Sequence, residues 1–198
     1  YHTGKAEDQE SLIAEKVGRA KVAITDNGKP AGTYTSERAF IEAPDGATLL
    51  PYFKKDGEWM VIMVRQFRIA FPGGEKETLE CPGGELYSNA RDGMAHELAE
   101  ETNVFVNPDS ITIVLHEIAW PSVLSCSMWG GIVEITEAMV PNAILAGEWF
   151  DGEYTAIEVH PLAELLRAKE SSKLKLDVWT SHLLDELAKR LELLVRKY

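Results

Sequence analysis

The sequence predicts a mixed α/β fold, with a sheet sandwiched between helices, on three observations. Strand-like runs alternate with Asn-Gly and Asp-Gly turns, a helix-forming segment lies mid-chain, and an amphipathic helix closes it. With 198 residues, 45% of them hydrophobic, the chain can bury a substantial core. The expected division is an N-terminal arm with strands over residues 1–42, followed by one enzyme-sized domain over residues 43–198. Internal repeats and low-complexity linkers are absent from the sequence.

Along the chain, residues 1–19 are charged and weakly periodic, with a short helix expected near 9–16. Residues 21–25 and 32–41 are expected strands around Asp26-Asn27-Gly28-Lys29, whose Asn-Gly pair favours a tight hairpin. Residues 48–54 and 59–65 form a second expected hairpin around Lys55-Asp56-Gly57-Glu58. Residues 89–102 carry good helix formers after Ser88 or Asn89 as N-cap. Residues 112–118, 128–135 and 155–160 are strand-like, and Pro161 suits the first position of a helix. In the last segment Leu183, Leu184, Leu187, Leu191, Leu194 and Val195 recur at helical spacing, which suits either a core cover or a dimer contact.

Charge and cysteine content narrow the function. A formal net charge of −12 argues against a nucleic-acid polymer as partner, since such binding needs a basic surface to neutralise phosphates. A small diphosphate compound is compatible, because a metal ion and local arginines can meet its few charges. No uninterrupted apolar run approaches about 18 residues, so no membrane span is expected, and no signal peptide is visible. Cys81 and Cys126 fit neither a disulfide framework nor a zinc spacing, and are expected as reduced thiols of a cytoplasmic protein.

The most informative cluster is Glu97, Glu100 and Glu101, shortly after the turn Pro82-Gly83-Gly84. Carboxylates are hard oxygen donors suited to Mg²⁺, the usual ion of phosphate chemistry. At about 100° per residue from Met94, Leu98 falls near 40° and Ala90 near 320°, which makes an apolar stripe. Glu101 falls near 340°, inside that stripe, Glu97 near 300° on its margin, and Glu100 near 240°, further out. An inward carboxylate is costly unless a cation or several donors compensate it. A solvated acidic helix face is the equally weighted alternative.

The run Thr78-Leu79-Glu80-Cys81-Pro82-Gly83-Gly84 and then His96-Glu97-Leu98-Ala99-Glu100-Glu101-Thr102 resembles the Nudix box, the loop-helix signature of hydrolases acting on nucleoside diphosphates linked to another group. Gly84 stands at its opening glycine, Glu97-Leu98 at its Glu-apolar pair, Glu100-Glu101 at its double glutamate and Val104 at its closing apolar residue. The sequence departs from the signature at His96 (arginine in the family), Asn103 (glycine) and Ala90 (glutamate), and its loop is two residues shorter. The likeness covers roughly residues 35–195 and points to the ADP-ribose pyrophosphatase-like branch. Ser36-Glu37-Arg38, Asp45-Gly46-Ala47, Arg65-Gln66-Phe67-Arg68, Trp120-Pro121-Ser122 and Asp151-Gly152-Glu153 follow that branch's order.

The resemblance implies a Nudix-type α/β/α sandwich with a mixed sheet and added N-terminal strands used in dimerisation, hence a homodimer. It implies Mg²⁺, with Mn²⁺ as alternative, held by Glu97, Glu100, Glu101 and the Gly84 carbonyl. It further implies phosphate contacts from Arg38, Arg65 and Arg68, and a general base at Glu153, with Glu148 and Asp151 in reserve and Glu100 as a second catalytic carboxylate; pairing with surface carboxylates is the equally weighted alternative for Arg65 and Arg68. Trp149 or Phe150 could stack on a base, although packing is the commoner use of an aromatic. The expected substrate is ADP-ribose or another nucleotide sugar, and the alternative is a Nudix-fold protein that binds a nucleotide or a protein without cleavage. His2, His116, His160 and His182 share no metal-ligand spacing, and no Gly-x-Ser-x-Gly elbow surrounds Ser122 or Ser125.

Overall fold

The computed structural model describes residues 14–26, 29–67, 77–119, 124–140, 148–150, 153–171, 174 and 176–193, with the side chains of 14–42, 67, 77, 118–119, 124–125, 148–150 and 153–155 outside the description. The fold is mixed α/β, with parallel and antiparallel strand pairs and three α-helices among the described residues. Two units emerge, Tyr1–Asp45 with Ile118–Ser127, and Gly46–Glu117 with Met128–Tyr198.

In the first unit β1 (Ala14–Asp26) pairs antiparallel with β2 (Lys29–Glu42) over their full lengths, and the register shifts at Ile24/Thr25. The hairpin expected from Asn27-Gly28 is thus present, while the turn residues themselves lie outside the description. The helix expected near 9–16 is corrected in its described part, since Ala14, Glu15 and Lys16 are paired with Glu42, Ile41 and Phe40. Non-local pairing overrides a weak local propensity there. Ile41 and Glu42 also run parallel to Leu124 and Ser125.

The second unit is built on β3 (Gly46–Lys55) and β4 (Glu58–Phe67), a hairpin turned by Asp56 and Gly57, both at positive φ as a tight turn requires. β10 (Glu153–Pro161) pairs with β4, and β9 (Glu148–Phe150) with β10. The part of β8 (Leu124–Glu134) from Met128 onward runs parallel to β3, and β7 (Thr112–Ala119) pairs with β8. Three short strands were not expected from sequence: β5 (Glu77–Glu80), which pairs with β4, β6 (Gly83–Glu85), which pairs with β3, and β9.

Strand periodicity distributes the core. Leu49, Phe53 and Ile62 pack with Met94 and Leu98 of α1 (Ala90–Thr102). Leu50, Val61 and Met63 pack with Leu162 and Leu165 of α2 (Leu162–Glu170) and with Leu183, Leu184 and Leu187 of α3 (Val178–Arg190). Alternate residues of β3 and β4 therefore meet different helices, as side chains on opposite faces of a sheet must. The Leu183–Leu187 stripe is core cover, fully buried within this unit. Pro161 caps α2 rather than opening it, a shift of one residue. No helix among the described residues is long and apolar enough to cross a membrane.

Candidate active site

The bend at Pro82-Gly83-Gly84 is fixed to β3 by its backbone. Gly83 and Gly84 pair with Thr48 and Ala47, the Leu49 N–H donates to the Pro82 carbonyl at 2.8 Å, and the Thr48 hydroxyl donates to the same oxygen at 3.2 Å. A Cβ at Gly83 would stand 2.5 Å from the Ala47 carbonyl oxygen and 2.9 Å from the Thr48 Cα, so only glycine permits this approach. A Cβ at Gly84 would stand 2.3 Å from Glu97 Oε2. The missing side chain at Gly84 is the space that the Glu97 carboxylate occupies.

Helix α1 presents that carboxylate. The Asn89 side chain caps its first turn, accepting from the Asp92 N–H at 3.1 Å, and Asn103 ends it at φ 56°, donating to the Ala99 carbonyl at 2.9 Å. Met94 and Leu98 anchor the buried face, with Glu97 at 8% exposure beside them, Glu101 half-buried and Glu100 exposed. The stripe angles had placed Glu101 deeper than Glu97. The order is reversed because β6 packs against α1 and brings Gly84 onto the Glu97 side, extending the covered face past the apolar stripe.

The carboxylates differ in their partners. Glu101 Oε2 accepts the Gly83 N–H at 3.0 Å and its Oε1 accepts the Gln66 amide at 2.6 Å, tying α1 to the bend and to the end of β4. Glu97 takes no hydrogen bond or ion pair among the described residues, and burial, then the Glu100 charge and that of Glu85, push its carboxyl above the usual range against a smaller opposing pull from His96. Glu100 faces His96 at 3.2 Å one turn away. Bend and carboxylates therefore meet, and Gln66 is a member of the site that the sequence analysis passed over in favour of the arginines beside it.

The other expected residues disperse. Arg65 is turned away from Gln66 by strand alternation and grips Glu158 with Nε at 2.5 Å and Nη2 at 2.9 Å, while His160 Nε2 meets the same carboxylate at 2.7 Å. The Arg65 and His160 contacts, offset by burial, hold the Glu158 carboxyl below its usual range. Arg38 lies in β2 of the first unit, paired with Gly18, with its side chain outside the description, and Arg68 and Asp151 lie outside it altogether. Glu153 was expected in a loop but is the first residue of β10, paired with Phe150 of β9, and Glu148 and Trp149 are in β9 as well. Thr155, two residues on, is the β10 partner of Gln66, which brings the Glu153 backbone toward the Gln66 end of β4. His116 stacks on Trp129 with ring centroids 3.5 Å apart.

The bend also lines a cavity of about 430 Å³, together with Thr48, Glu80, Asp177 and Trp179. Among the described residues its lining carries two carboxylates and no basic side chain, which suits an apolar ring with N–H donors better than a phosphate. Cys81 also lines it, its thiol pushed far up by burial and by Asp177 and so kept protonated. Neither Glu97 nor Glu101 lines this cavity.

No protein-family model matches the chain, and no curated protein matches it. Among the described residues no group of three or more His, Cys, Asp or Glu side chains is arranged to hold a metal ion. The donor chemistry nevertheless suits a hard cation. Glu97 is a carboxylate with no hydrogen bond or ion pair among the described residues, and Mg²⁺ commonly takes only one or two protein carboxylates, with waters and substrate phosphates completing its shell.

Proposed function

We propose that this chain is a divalent-cation-dependent hydrolase of a nucleoside diphosphate-linked compound, ADP-ribose or another nucleotide sugar, on a Nudix-type α/β/α sandwich. The observation that carries this reading is the contact between the glycine bend and α1: Gly84 leaves room for the Glu97 carboxylate, and the Gly83 N–H holds Glu101. The packing of α1 against one set of strand residues, and of α2 and α3 against the alternate set, supports the layered fold that the resemblance implies.

Glu97 and Glu101, with Glu100 at the rim and the Gly84 carbonyl, would hold Mg²⁺ or Mn²⁺. Bound there, such an ion offsets phosphate charge and acidifies a coordinated water. Glu97 supplies charge from a buried position where water competes poorly for it, and Glu101 is held by two donors so that its orientation need not be found anew in each cycle. Glu153 is the proposed acceptor of the proton from the water that attacks phosphorus. The acceptor-rich cavity lined by the bend offers room for the organic half of the substrate, and Arg68 is the proposed phosphate contact. Arg65, gripped by Glu158, serves that role only by giving up its ion pair. We further propose a cytoplasmic homodimer formed through residues 1–42, with no nucleic-acid polymer as partner.

Binding without cleavage is the second reading, favoured by the exposed His96–Glu100 pair where the family has a permanently charged arginine. The two part in a direct assay. The hydrolase reading expects AMP release from ADP-ribose or a related nucleotide sugar with Mg²⁺, abolished by chelator and reduced on the order of 100-fold or more in Glu101→Gln. Absence of cleavage across a panel of nucleoside diphosphate compounds, with a nucleotide still raising the melting temperature, selects the binding reading.

A further inference from the structure

We infer that Gln66 is a positioning residue for the cation, its buried amide aiming the Glu101 carboxylate. The inference rests on the hydrolase reading above. Gln66 is 4% exposed near the end of β4, between Thr155 of β10 and Thr78 of β5, so its backbone is held from both sides. Its Nε2 donates to Glu101 Oε1 at 2.6 Å, while its own Oε1 is buried with no hydrogen-bond partner among the described residues.

That second fact decides between a packing role and a functional one. A buried acceptor left unpaired costs about 1–3 kcal/mol. A leucine or methionine would fill nearly the same volume and bury no acceptor, so packing alone gains nothing from an amide here. What the amide supplies, and neither apolar side chain can, is an N–H directed at a carboxylate. The opposite amide orientation would set a carbonyl oxygen against that carboxylate, so the side chain is confined to the donating orientation even though its carbonyl is then stranded. With the Gly83 N–H on Oε2, Glu101 is gripped at both oxygens by groups on two different strands. Partners of this kind behind a ligating carboxylate fix its direction, and their loss typically weakens metal affinity by about 10–100-fold.

The test is a Mn²⁺ titration followed by electron paramagnetic resonance, together with melting temperatures without metal, on the full chain and on Gln66→Leu and Gln66→Met. The inference expects Mn²⁺ to bind the wild type and both variants to bind about 10–100-fold more weakly, with metal-free melting temperatures equal to or above that of the wild type. Wild-type affinity in both variants overturns the inference and leaves the hydrolase reading standing. Weaker binding accompanied by a lowered metal-free melting temperature in both variants assigns Gln66 a structural role and also overturns it. No Mn²⁺ binding by the wild type removes the hydrolase reading and the inference together.

Discussion

At the scale of single residues, Glu97 is the group on which the site's electrostatics turn. Its carboxyl is raised, so the stability it contributes is complete below its ordinary value of 4.5 and is lost as pH rises through the folded-state value. Glu97→Gln is therefore expected to melt higher than the wild type at pH 7 without metal, with the gap closing as pH falls toward 4. Added Mn²⁺ should raise the wild-type melting temperature and leave the variant unmoved. Thermal melts across that pH range, with and without the ion, check both halves. The two bend glycines separate in kind: Gly83→Ala drives a methyl into fixed backbone and should cost about 1–3 kcal/mol or more. Gly84→Ala meets the end of a side chain, and should disturb Mn²⁺ binding more than denaturant stability.

The glutamate cluster and the glycine turn were legible in the sequence because their spacing alone brings them near one another. The depth of Glu97 was not, since it depends on β6, a three-residue strand with no periodic signal of its own. Gln66 was passed over for a related reason: its role comes from a contact with a residue 35 positions away, and no local pattern marks it.

At the scale of elements, hairpins and helices with local signals came through. Asp56-Gly57 turns β3 into β4, Asn89 and Asn103 cap α1, and leucine periodicity marks α3. Elements set by cross-strand pairing did not: β1 extends back over residues assigned to a helix by pairing with the far end of β2, and Glu153 joins β10 instead of a loop by pairing with Phe150 of β9. The Arg65–Glu158–His160 group joins β4 to β10, and its pH behaviour opposes that of Glu97. The Glu158 carboxyl is lowered, so its stabilisation is complete above 4.5 and is lost as pH falls through the folded-state value. Glu158→Gln should melt below the wild type at pH 7 and converge with it in acid, which the same series of melts would show. Leu183→Ala, truncating a fully buried side chain of α3, should cost about 2–5 kcal/mol in chemical denaturation.

At the scale of the whole molecule, the net charge of −12 argues against a polyanion as partner. Retention on a DNA or heparin column near physiological salt is accordingly not expected, and elution in the void would show it. In the sequence, only the resemblance carried by the order of motifs implied small-molecule diphosphate chemistry, and the acidic composition was merely compatible with it. Composition could not show that the bend lines a cavity which Glu97 and Glu101 do not line, an arrangement that follows from the pairing of β6 with β3 and from Trp179 and Thr180 of α3.

A crystal soaked with Mn²⁺ and a nonhydrolysable ADP-ribose analogue, with data collected at the manganese edge, tests the proposed site most directly. An anomalous peak is expected bonded to the Glu97 carboxylate and shared with Glu101, with diphosphate oxygens in its shell. A peak elsewhere, or a bound analogue with no metal at these glutamates, would contradict the proposed site.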